Sequence, residues 1–145
     1  MPNILLVEDR GWLHDLLART AVHRRSNVMV AYDVASVWNA LRISRPGLAL
    51  LDLSLRGANG WDIFWYIRMQ APETPVLVVA AYETDLHDPR LSQAAGYIHN
   101  RDLRPKDLQT MIERTLAGTP GHPRPILSSP SADRVQRTST FGGRA

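Results

Sequence analysis

A chain of 145 residues with no cysteine has room for one ordinary core and excludes disulfides, thiolate metal sites and cysteine nucleophiles. Its formal +3 charge resides at the end, where Arg124, Arg134, Arg137 and Arg144 face only Asp133, so residues 1–117 are neutral and nucleic acid is not expected as a partner. No apolar run approaches the roughly 20 residues that span a bilayer, and Met1-Pro2-Asn3 lacks a basic signal-peptide start, so a soluble, cytoplasmic protein without membrane contact is expected.

Along the chain, short apolar runs alternate with helical periods. Residues 3–7, 28–31, 48–51, 76–80 and 97–98 read as strands. The third and fourth, Leu48-Ala49-Leu50-Leu51 and Val76-Leu77-Val78-Val79, are apolar at every position, as strands covered on both faces must be. Leu13, Leu16, Leu17 and Thr20 share one helical face, and Val34, Val37, Trp38 and Leu41 another. In the next helix Trp61, Trp65 and Arg68 align, with Ile63 and Ile67 adjoining, so the tryptophans are expected to pack against neighbours. Asp88-Pro89 predicts an N-cap and first helical residue for a short fourth helix reaching toward Ala95, after a long connection over 81–87. Leu108, Met111, Ile112 and Thr115 form the last helix. Five strands alternating with five helices imply a flavodoxin-like (βα)5 three-layer sandwich with parallel strand order 2-1-3-4-5. Proline, serine, glycine and arginine dominate from Gly118 onward, so residues 118–145 are expected to be a flexible tail on a domain of residues 1–117.

The chemistry gathers where strands end. The first strand runs into Glu8 and Asp9 and the third into Asp52, so the expected order brings three carboxylates to one sheet edge. Their repulsion calls for a cation or a shared proton, and an oxygen-rich site suits Mg²⁺. A carboxylate can also attack phosphorus and form an aspartyl phosphate. A helix or turn cap is the plainer reading of one such aspartate, and two acidic sites after adjacent apolar strands weaken it. The five histidines show no ligand spacing and are expected to be at the surface or partly buried. Gly57-Ala58-Asn59-Gly60 lacks the lysine of a phosphate-cradling loop. His23-Arg24-Arg25 suits a solvated helix C-terminus, and Trp12 beside the acidic pair is placed to flank the site.

The stretches Asn3–Asp9, Leu48–Leu55, Gly60-Trp61-Asp62, Pro75–Tyr82 and Ala95-Gly96-Tyr97-Ile98, in this order, resemble response-regulator receiver domains over about residues 2–117. The resemblance implies that Asp52 accepts a phosphoryl group from a histidine kinase, a phosphotransfer protein or a small phosphodonor. It implies that Glu8, Asp9, Asp52 and the Ser54 backbone carbonyl hold Mg²⁺, and that Tyr97 is the aromatic that turns inward on activation. It further implies a non-enzymatic signalling module that meets a protein partner through the fourth helix, fifth strand and fifth helix, with homodimerisation as another use. Three positions depart from the pattern. Ala80 stands where a serine or threonine hydroxyl would bond the phosphoryl group. The usual lysine falls on Asn100 or Arg101, depending on which side of a one-residue insertion between Tyr97 and Leu103 the register is counted from, and arginine is not equivalent to lysine. Arg56 replaces a proline. A stand-alone receiver with an altered switch is therefore expected, and its rival is a phosphorylation-independent interaction domain.

Overall fold

The computed structural model describes residues 1–118, so the expected tail lies almost wholly outside the described residues. Five strands, β1 (Asn3–Val7), β2 (Asn27–Ala31), β3 (Leu48–Asp52), β4 (Val76–Ala80) and β5 (Gly96–His99), form one parallel sheet in the order β2-β1-β3-β4-β5. The flavodoxin-like order expected from the alternation is the order observed.

Strand alternation divides the apolar residues between two cores. Leu5, Val7, Ala49, Leu51, Val76 and Val78 meet helices α3 (Val34–Ile43) and α4 (Gly60–Gln70) on one face. Ile4, Leu6, Leu48, Leu50, Leu77 and Val79 meet α1 (Trp12–Ala18), α2 (Ala21–Arg24) and α5 (Pro105–Leu116) on the other. Every residue of β3 and β4 is buried, which is why those strands read as unbroken apolar runs. No helix among the described residues is long and apolar enough to cross a membrane.

Local chemistry corrects several expectations. The first helical period is two helices: α1 stops at Ala18, and Thr20 donates its hydroxyl to the Leu17 carbonyl while its Oγ1 accepts the His23 amide, capping α2. The predicted short helix before Ala95 is a 3-10 turn over Pro89–Gln93, capped by Asp88 through the Arg90 amide, and the connection before it holds another at Glu83–His87. Both segments are only five residues long, within the short runs in which i→i+3 bonding occurs. Trp38 and Trp65 are 47% and 38% exposed, so neither joins the core; Val37 and Ala40 face inward on α3 instead, and the Arg42 guanidinium stacks over Trp38. Trp61 is buried and meets Phe64 edge-on. His99 is also buried, more deeply than the surface or partial burial expected of the histidines, and its Nδ1 accepts the Arg101 amide.

Candidate functional site

The parallel sheet puts the ends of β1 and β3 side by side, with Val7 opposite Leu51. Asp52 continues the alternation of Leu48 and Leu50 toward the face that α1 covers. It is 2% exposed, and both carboxylate oxygens are held. Ser54 donates its backbone amide and its hydroxyl to Oδ1 at 2.9 and 2.6 Å. The Trp12 indole Nε1–H donates to Oδ2 at 2.9 Å, across 40 residues of sequence. A buried carboxylate is costly without partners, and hydrogen bonds to a charged acceptor are worth about 1.5–3 kcal/mol each.

Glu8 is equally buried and turns toward α1, where its two oxygens accept the Leu13 and His14 amides at 3.1 and 2.6 Å. That contact satisfies amides that begin the helix, which no residue between Glu8 and Trp12 caps with its side chain. Gly11, at φ +88°, supplies the left-handed turn that lets the chain double back into the helix. Asp9 is tied to the loop after β3: its Oδ2 accepts the Arg56 amide at 2.6 Å and the Gly57 amide at 3.4 Å, and the Arg56 side chain donates to the Asp9 carbonyl. A proline at position 56 would lack the N–H that makes the shorter contact. The three acidic residues thus share one sheet edge as expected, but protein donors hold them separately. No group of three histidine or acidic side chains among the described residues stands close enough to ligate one ion.

Position 80 lies beside this site, since Val79 is the register partner of Asp52 and Ala80 is the next residue. Its methyl group is fully buried and donates nothing. Ala80 pairs in turn with His99. Asn100 and Arg101 follow β5 in a 3-10 turn, Asn100–Asp102, where the two sequence registers part. The Arg101 guanidinium is engaged by Glu83 at 2.7 Å, and both side chains are largely exposed. Tyr97 packs half-buried against the core beside α4, and burial pushes its phenol above the ordinary tyrosine range. The segment before β5 is latched to α4 by Arg90, which pairs with Asp88 at 2.7 Å and stacks over Trp61. Trp61 in turn donates weakly to Asp85 at 3.4 Å.

The Trp12 indole and the Arg56 amide are neighbours of the acidic side chains that motif reading does not supply. Trp12 had a signal, its place just after the acidic pair, whereas the Arg56 amide had only the missing proline.

The model of the response regulator receiver domain family matches residues 4–113. The chain belongs to that family. The receiver is 30% identical over 134 residues to the DNA-binding response regulator MtrA of Mycobacterium leprae, covering 90% of this chain and 58% of that protein. It therefore spans a little over half the length of the curated relatives it matches. The receiver domain of NtrX from Brucella abortus superposes with a TM-score of 0.69 at 25% identity, covering 80% of this chain and 99% of that one. A Thermotoga maritima response regulator, TrrA, solved in complex with Mg²⁺ and beryllofluoride, shares the fold at a TM-score of 0.65 and 19% identity, covering 79% of this chain and 99% of that one. The family is one of two-component signal transduction, with histidine kinases as partners, so the module is a signalling domain rather than a conventional enzyme. The expectation that nucleic acid plays no part finds no support here, because the MtrA relatives are named as DNA-binding.

Proposed function

We propose that this receiver accepts a phosphoryl group on Asp52 and passes the signal to a protein partner through an altered switch. The observation that carries this is the buried Asp52 carboxylate, oriented by Ser54 and Trp12 at the carboxyl edge of the sheet. A carboxylate oxygen attacks phosphorus; the new O–P bond forms as the bond to the leaving group breaks, and the electron pair departs with that group. The donors are a phosphohistidine of a kinase or phosphotransfer protein, or a small acyl phosphate.

The donor set of hard oxygens fits Mg²⁺, which takes one or two carboxylates and keeps several waters. Asp9, Asp52 and the Ser54 carbonyl would hold it, with Glu8 lining the same edge. When bound, the ion would neutralise charge on the transferring group. Glu8 anchors the start of α1 and thereby fixes the wall of the site. Without a hydroxyl at Ala80 and with Arg101 engaged by Glu83, the phosphoryl group would couple to Tyr97 differently from the family pattern. The partner face in this reading comprises the two 3-10 turns between β4 and β5, β5 itself and α5, in a cytoplasmic protein.

The test is incubation of the purified chain with acetyl phosphate and Mg²⁺, read by intact mass beside Asp52→Asn. One added phosphoryl mass in the unaltered chain alone is expected. The absence of any adduct, or an equal adduct on the Asp52→Asn chain, overturns the reading.

A further inference from the structure

From the contacts around Asp52 we infer that Trp12 is the hydrogen-bond donor that senses the phosphoryl group in this receiver, in place of a hydroxyl at position 80. The inference rests on the reading of Asp52 as the acceptor and adds a residue to it.

The two oxygens of Asp52 are held unequally. Oδ1 takes two donors from the same residue, Ser54, within its own turn. Oδ2 takes the indole N–H of Trp12 at 2.9 Å. The carboxylate charge is shared between the oxygens before transfer and sits mostly on the phosphoryl oxygens afterwards. A donor already within hydrogen-bond reach of Oδ2 is within a few ångströms of a phosphoryl group built on that oxygen. The indole N–H donates and cannot accept, so it finds an acceptor before and after transfer. Ala80, by contrast, offers nothing in either state.

The indole is also held in place, as a sensing donor must be. Trp12 is the first residue of α1 and packs against the core that contains Leu13 and Leu17, both fully buried. The left-handed Gly11 sets the direction of the helix, and Glu8 pins its first amides. Arg101, the other candidate, sits in an exposed ion pair with Glu83.

With acetyl phosphate as donor, the Asp52 Oδ2–P bond forms while the bond from phosphorus to the acyl oxygen breaks. Acetate leaves with the electron pair, and no proton is transferred to or from Trp12.

The experiment uses the full 145-residue chain, labelled with ¹⁵N, and follows its four indole N–H resonances. Spectra are taken free, with Mg²⁺ alone, and with Mg²⁺ plus beryllofluoride. The Trp12 resonance, assigned from Trp12→Phe, should move on addition of beryllofluoride well beyond its shift with Mg²⁺ alone, while those of the exposed Trp38 and Trp65 stay. Trp12→Phe should weaken beryllofluoride binding about tenfold, the loss of one hydrogen bond to a charged acceptor. Adding Ala80→Thr to that variant should restore most of the loss, and the same change in the unaltered chain should add much less.

Where Trp12→Phe fails to fold, the Trp12 resonance is assigned by elimination from Trp38→Phe, Trp61→Phe and Trp65→Phe. A Trp12 resonance that ignores beryllofluoride overturns the inference. So does equal or tighter binding by Trp12→Phe, which would make the indole a shield over Asp52. In both cases phosphorylation of the unaltered chain by acetyl phosphate would leave the acceptor reading standing. If the unaltered chain takes neither the phosphoryl mass nor beryllofluoride, the acceptor reading falls, and this inference with it.

Discussion

Replacing Gly60 by alanine tests whether the backbone around Asp52 is packed as tightly as the structure requires. Gly60 opens α4, where sequence rules favour the change: alanine is about 1 kcal/mol better than glycine within a helix. The structure reverses the sign. A Cβ at position 60 would lie 2.5 Å from the Leu53 carbonyl oxygen and 2.7 Å from its Cα. Both are backbone atoms of the residue after Asp52, and the Leu53 amide is fixed to the Val79 carbonyl at 3.0 Å. Neither neighbour can swing aside, so α4 or the β3 end must shift. Overpacking of this kind costs about 1–3 kcal/mol, and a clash with backbone belongs at the upper end. Against the helix gain the net destabilisation is about 2 kcal/mol, a fall in Tm of roughly 8 °C for a domain of this size. Gly57→Ala is the control. Its Cβ would meet nothing within 4 Å and its φ is not positive, so it should be neutral or stabilising by up to about 1 kcal/mol. Calorimetry and urea unfolding of both variants decide the matter. Gly60→Ala at or above the Tm of the unaltered chain would refute the packing argument.

Three further outcomes follow from particular contacts. Glu8→Gln should lose about 1–3 kcal/mol in urea unfolding, because an amide group keeps one acceptor for the Leu13 and His14 amides and turns a buried donor toward them; an unchanged midpoint would mean that Glu8 does not anchor α1. Tyr97 has its phenol raised by burial, so its contribution to stability is complete below the ordinary value of 10.0 and declines as pH rises through the folded value. Its phenolate absorbance should therefore appear above pH 10, and Tyr97→Phe should flatten the alkaline loss of stability; a steeper loss in that variant would refute the sign. Arg101→Ala should change stability by less than about 0.5 kcal/mol, since the pair with Glu83 is exposed, and should leave acetyl phosphate labelling of Asp52 unaltered; a severalfold fall in labelling would return Arg101 to the site.

The strands and their order were legible because their information is local. Leu48 to Leu51 and Val76 to Val79 carry no polar side that could face water, and the alternation of strands with helices leaves few ways to arrange a parallel sheet. That arrangement also brings Glu8, Asp9 and Asp52 to one edge. Helical spacing was less informative. It grouped Trp38 with Val37 and Thr20 with Leu17, yet periodicity cannot say how wide the covered stripe is or where a hydroxyl will end one helix and begin the next. Of the partners of the carboxylates only the nearness of Trp12 was legible, from its place after the acidic pair, and none of the actual contacts was. Asp52 meets an indole 40 positions away and Asp9 an amide 47 positions away. A pattern of residue types determined that acidic groups gather at this edge. The tertiary structure alone decided which donor each of them meets, because hydrogen-bond partners depend on distances of about 3 Å between chain segments that have no fixed spacing in the sequence.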